Sequence, residues 1–146
     1  MNPEKMPVID LDDYTSFLNQ VKSDIQRTQL RAAISITQEL TQLYWRIGIG
    51  LSKKVSEAKW GSKIIERFSN DITFSFPETS GFSHRNLKFM RQFAEGYPEG
   101  IRETAVSQIP WGHNIVLLQK LENTKERLWY AEQTIDNGTK SGQSRN

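Results

Sequence analysis

The 146-residue sequence contains no cysteine and only two histidines, His84 and His113. Without cysteine the chain can form neither a disulfide nor a thiolate site, and we expect a cytoplasmic protein. Two histidines so far apart in sequence do not make a dedicated zinc site. No apolar run approaches the length of a membrane-spanning helix, and residues 1–6 lack the apolar segment of a secretory signal.

The net charge is only +2, but the charges are unevenly distributed. Residues 1–26 hold two basic and five acidic side chains, residues 27–91 hold eleven and five, and residues 92–146 hold six and seven. A basic block between acidic flanks is typical of a surface that binds a polyanion. Solvated helix faces can carry the same excess, so charge alone does not choose between the two interpretations.

Apolar residues three or four positions apart predict a long first helix from about residue 14 to 53, capped by Asp12 or Asp13. The row consists of Leu18, Val21, Ile25, Ala32, Ile36, Leu40, Leu43, Ile47 and Leu51. Such a helix would be roughly 60 Å long, so it must bend, break or pair with a second copy of the chain. Gly48 and Gly50 mark the expected weak point, because glycine costs about 1 kcal/mol in a helix.

Four shorter helices are predicted after the long one: 63–74, 84–95, one that follows Pro110, and one from about 124 that ends at Gly138. Residues 105–109 also permit one short strand. The predicted fold class is therefore all-α, with a long N-terminal helix followed by a helix-turn-helix-like bundle. The expected organisation is a flexible lead-in at 1–12, a helical domain at 13–138 and a disordered tail at 139–146.

Nothing in the sequence forms an active-site pattern. Asp10, Asp12 and Asp13 are interpreted as a helix cap and a solvated lead-in rather than as metal ligands. Glu57 and Lys59 have the acid-x-lysine spacing of one nuclease superfamily. That chemistry also needs an upstream Asp on paired strands to hold Mg²⁺, whereas Glu57 falls at a helix end. We therefore predict a non-catalytic protein with no metal and no cofactor.

Residues 63–91 have the outline of a helix-turn-helix unit with a longer connection than usual. Ser83 is the expected N-cap of its second helix. Side chains that suit phosphates and base edges follow the cap. The candidate nucleic-acid-binding residues are Lys63, Arg67, His84, Arg85, Asn86, Lys88 and Arg91. An ordinary amphipathic helix with a basic polar face would give the same pattern.

Five segments in the same order resemble the N-terminal domain of the YhcG family of bacterial proteins. They are LYWRIG at 43–48, WGSKIIER at 60–67, GFSHRNLKFMRQF at 81–93, IPWGHN at 109–114 and YAEQTIDNG at 130–138. Family members continue into a nuclease-like domain of the restriction-endonuclease type, which this sequence does not contain. A Trp usually follows the glycine that matches Gly138, where this chain has Thr139.

The resemblance implies a helical module that binds DNA or mediates assembly for a nuclease. Our first hypothesis is a DNA-binding module that forms a homodimer through the long helix. The alternative is a protein–protein module that positions or regulates a nuclease-domain protein and has no affinity for nucleic acid.

Overall fold

The computed structural model describes residues 8–144, with side chains described up to residue 137. It contains five α-helices and one short 3₁₀ helix, and no strand among these residues. The helices are α1 (Leu11–Glu57), α2 (Ser62–Ser75), α3 (His84–Gly96), α4 (Trp111–Lys120) and α5 (Thr124–Ser144), and the 3₁₀ helix is Ala105–Ser107. The prediction of an all-α fold is confirmed. Across this part of the chain, no helix combines the length and the apolar composition that crossing a membrane requires.

Residues 105–109 do not form the short strand that the sequence permits. The Ser107 and Gln108 amides donate to the Thr104 and Ala105 carbonyls, at 3.2 and 3.0 Å, which closes a local turn. Because these hydrogen bonds are made within the segment, no partner strand is needed.

The chain divides into two units, one that ends at Ile34 and one that begins at Ser35. In the first unit, α1 is capped by Asp10 rather than by Asp12 or Asp13. The Asp10 carboxylate accepts hydrogen bonds from the Asp12 and Asp13 amides at 3.0 and 3.3 Å. No residue between 8 and 34 is buried.

In the second unit, α3 lies at the centre and packs against α2 and α4, while α5 packs against the 3₁₀ helix and α4. Leu87, Met90, Phe93 and Ala94 of α3 are fully buried. Leu87 and Met90 pack with Tyr44, Leu51 and Ile65, and Phe93 packs with Tyr97, Ile101, Val106, Ile109 and Ala131. Burial raises the pKa of the Tyr44 phenol, and it raises that of Tyr97 against the opposing effect of Arg127.

The structure corrects the expected weak point in α1, because the helix runs through Gly48 and Gly50 without a break. Gly48 is buried, and a Cβ atom built on it would lie 2.0 Å from the Met90 carbonyl oxygen and 2.9 Å from Ala94 Cβ. The missing side chain therefore lets the backbone of α1 approach that of α3.

The buried row of α1 also differs from the predicted apolar row. The buried residues are Thr41, Tyr44, Gly48 and Leu51, whereas Ile36 and Leu40 remain 63% and 45% exposed. The Thr41 hydroxyl donates to the Thr37 carbonyl at 2.6 Å, which allows this polar side chain to face the core.

Helix α5 begins after Asn123, whose side-chain oxygen accepts from the Lys125 and Glu126 amides at 2.8 and 3.3 Å. The prediction that this helix ends at Gly138 is wrong, because it continues to Ser144. A single glycine costs a helix about 1 kcal/mol and does not forbid it. The flexible lead-in was predicted for residues 1–12 and the disordered tail for residues 139–146. Of these predictions, the parts at residues 1–7 and 145–146 and at the side chains of 139–144 lie outside the described residues.

Candidate nucleic-acid interface

The start of α3 is fixed by the turn that precedes it. The Ser69 hydroxyl of α2 donates to the Phe82 carbonyl at 2.5 Å, and Gly81 adopts a φ of +103° that favours glycine. The Ser83 side chain then accepts a hydrogen bond from the Asn86 amide at 3.1 Å. Ser83 is thus the N-cap of α3, as predicted.

The basic side chains of α3 share one face. Successive residues of an α-helix are about 100° apart, so His84, Arg85, Lys88 and Arg91 fall within a sector of roughly 120° that excludes the buried row. His84, Arg85 and Lys88 are exposed, whereas Arg91 is half-buried. The structure therefore brings together four of the seven predicted site residues, and we call them the α3 basic face.

Glu95 interrupts the charge at the C-terminal end of this face. Its Oε1 lies 3.6 Å from Arg91 Nε and accepts a hydrogen bond from the Ser52 hydroxyl at 3.0 Å. Glu95 is not among the residues predicted from the sequence, although its position four residues after Arg91 is a sufficient signal.

A groove of about 190 Å³ runs beside the α3 basic face. It is lined by Leu51, Trp60, Gly61, Ser62, Ile65, His84, Leu87, Lys88 and Arg91. None of these nine described residues is acidic, and the first turn of α2 begins there without a side-chain cap. A helix N-terminus carries partial positive charge, so this end of α2 adds to the potential of Lys88 and Arg91.

A second groove, of about 500 Å³, lies on the other side of α3, toward α4. It is lined by Arg85, Lys88, Phe89, Gln92, Gly96, Leu118, Gln119 and Arg127. The Arg85 guanidinium lies 5.5 Å from the centre of the Phe89 ring, which holds it along the helix. Lys88 lines both grooves, so the exposed ridge of α3 presents positive charge on each of its sides.

Asn86 has an internal role. Its side-chain nitrogen, Nδ2, donates to the Gly81 carbonyl at 2.5 Å, and its side-chain oxygen, Oδ1, accepts from Trp111 Nε1 at 2.8 Å. Bidentate recognition of adenine needs the amide oxygen and nitrogen together. Because the Asn86 oxygen is already bonded to Trp111, we do not include Asn86 in the proposed interface.

Lys63 and Arg67 lie on the side of α2 that faces away from α3. Each is two residues from the buried Ile65, which places it about 200° around the helix. Both are exposed, and Arg67 Nε lies 3.8 Å from the Asp71 carboxylate. The structure thus separates them from the α3 basic face, and contact with nucleic acid at these two residues stays a prediction.

Within residues 8–144, no group of three or more His, Cys, Asp or Glu side chains is placed to hold a metal ion. The candidate site therefore consists of the α3 basic face and the two grooves beside it.

Comparison with known proteins yields one family. No curated protein matches the chain, and no solved structure matches it. The family described as the DUF1016 N-terminal domain matches residues 20–143, which cover most of α1 and nearly all of the remaining helices. The chain therefore belongs to the DUF1016 N-terminal domain family.

Proposed function

We propose that this chain is a non-catalytic, cytoplasmic DNA-binding module that contacts the duplex through the α3 basic face. The observation that carries the proposal is the position of Lys88 and Arg91 in one groove with the uncapped start of α2. Backbone amides and cationic side chains are the groups that bind phosphate at protein–DNA contacts.

Arg85 and Lys88 are the residues we expect nearest to the bases. They are exposed on the N-terminal half of α3, the part of a recognition helix that reaches base edges in helix-turn-helix proteins. Arginine and lysine both pair with guanine in the major groove. Arg91 lies further along the helix and is half-buried, so its expected partner is a phosphate.

The test is a titration of a fluorescently labelled duplex with the whole chain at several salt concentrations. Each phosphate that is neutralised contributes about −0.9 to the slope of log K against log salt. Arg85, Lys88 and Arg91 bring three positive charges to the duplex and neutralise about three phosphates, whether their hydrogen bonds go to phosphates or to base edges, which predicts a slope of about −3. Absence of salt-sensitive binding to any duplex at low ionic strength would exclude the proposal.

A substitution at Glu95 provides a test in which the affinity for the duplex should rise. Replacing Glu95 with Gln removes the negative charge beside Arg91 while keeping a group that can accept from Ser52. We expect Glu95→Gln to raise duplex affinity a few-fold, because the phosphate no longer faces a carboxylate. Glu132→Gln makes the same charge change at an exposed position of α5 and should leave the affinity unchanged. Equal effects of the two variants would show that only net charge matters.

The second candidate function is assembly with a nuclease-domain protein, without nucleic-acid binding. It is favoured by exposed aromatic side chains at the end of α2 and on α5, namely Phe74, Phe76, Trp129 and Tyr130. Aromatic side chains are enriched at protein-binding surfaces. The salt titration separates the two candidates, because an assembly module would give no salt-dependent affinity for a duplex.

A further inference from the structure

The first part of α1 presents an apolar row that no residue between 8 and 34 buries. Leu11, Tyr14, Leu18, Val21 and Ile25 follow one another at alternating intervals of three and four residues. This is the spacing of the core positions of a coiled coil. Leu11, Tyr14 and Ile25 are exposed, and Leu18 and Val21 are only half-buried. An amphipathic helix derives most of its stability from packing this face, so the row requires a partner.

Charge along the same segment is polarised. Residues 10–16 contain Asp10, Asp12 and Asp13 and no basic side chain. Residues 22–31 contain Lys22, Arg27 and Arg31, with Asp24 as their one acid. Arg27 pairs with Asp24 on the surface of the helix. The segment is therefore negative at its start and positive at its end.

We propose that residues 11–28 pair with the same residues of a second copy of the chain as an antiparallel two-stranded coiled coil. The register follows from the spacing of the row. Leu18 packs on Val21 of the second copy, Tyr14 on Ile25 and Leu11 on Thr28. Each pair occurs twice, since the two-fold axis passes between Asn19 and Gln20.

The charge pattern favours a second copy in this direction. Antiparallel pairing places the acidic start of each helix beside the basic end of the other, with Asp10 near Arg31 at both ends of the coil. Parallel pairing would instead place three aspartates beside three aspartates, and opposite charges across a coiled coil determine its orientation. Because the segment carries both charges, it complements itself.

The absence of cysteine makes the register directly measurable. We would prepare Leu11→Cys and Thr28→Cys in the full chain and oxidise each alone and as an equimolar mixture. The proposed register predicts a disulfide-linked dimer in the mixture and little in either sample alone, because Leu11 of one copy faces Thr28 of the other. If each variant instead links to itself, the helices are parallel and the proposal is wrong. Gln26→Cys, on the outer side of the helix, is the control.

Light scattering tests the pairing without cysteine. The unmodified chain should have about twice its 16.9 kDa mass at micromolar concentration. Val21→Glu should return it to the monomer mass, whereas Ser23→Glu, on the outer side of the helix, should not. A monomer mass for the unmodified chain, together with no cross-link in the mixture, would overturn the proposal. The apolar row would then pack against a different protein. Neither measurement depends on duplex binding.

Discussion

Replacing Gly48 with alanine should lower the free energy of unfolding by about 3 kcal/mol, near the upper end of the cost of overpacking a core. The added Cβ would lie 2.0 Å from the Met90 carbonyl oxygen and 2.7 Å from its carbonyl carbon. Both are backbone atoms in the middle of α3, so they cannot rotate away as a flexible side chain would. Either α1 or α3 must shift, and the packing of Tyr44 and Leu87 around this contact must loosen.

Gly50 is the matched control, two residues further along the same helix. A Cβ built on Gly50 meets nothing within 4 Å. Gly50→Ala should therefore raise the free energy of unfolding by up to about 1 kcal/mol through the helix propensity of alanine. Thermal and urea unfolding of both variants would measure the difference. If Gly48→Ala were as stable as the unmodified chain, the close contact between α1 and α3 would be refuted.

This pair of glycines also shows what the sequence can and cannot predict about the fold. Periodicity located the five α-helices of residues 8–144, because apolar residues three or four apart are a local signal, but it missed the 3₁₀ helix at Ala105–Ser107. Periodicity did not locate the buried row of α1, because two of its members are not apolar side chains. Gly48 is buried because its missing side chain lets α3 approach closely, and Thr41 is buried because its hydroxyl donates a hydrogen bond to the Thr37 carbonyl. Those reasons depend on what packs against the helix.

For the candidate site too, the sequence predicted the local features but not the contacts between distant residues. The Ser83 cap and the shared face of Arg85, Lys88 and Arg91 follow from residue spacing within α3. The role of Asn86 depends on Trp111, which is 25 residues away in sequence, so no local pattern could predict it. The separation of Lys63 from α3 depends on which face of α2 packs on that helix, and this is a tertiary contact that no local pattern encodes.

The double variant Arg85→Glu with Lys88→Glu should remove most of the affinity for duplex DNA. Both side chains are exposed on the α3 basic face, and Lys88 lines both grooves. Two lost phosphate or base contacts of about 1.5 kcal/mol each lower the affinity on the order of a hundredfold. The slope of log K against log salt should also become less steep by about two units, from about −3 to about −1. The helical circular-dichroism signal and the melting temperature should persist, because neither residue belongs to the buried row.

Lys63→Glu with Arg67→Glu is the matched control, because it makes the same change in net charge on the side of α2 turned away from α3. The ion pair of Arg67 with Asp71 is exposed, so its loss should have little effect on stability. If contact runs through α3, this variant loses only the weaker, long-range part of the attraction, which salt screens within about 10 Å. If instead both double variants lose affinity equally, the duplex responds to net charge and not to the α3 basic face. If neither loses affinity, the face is a solvated surface, and the assembly function takes the place of DNA binding.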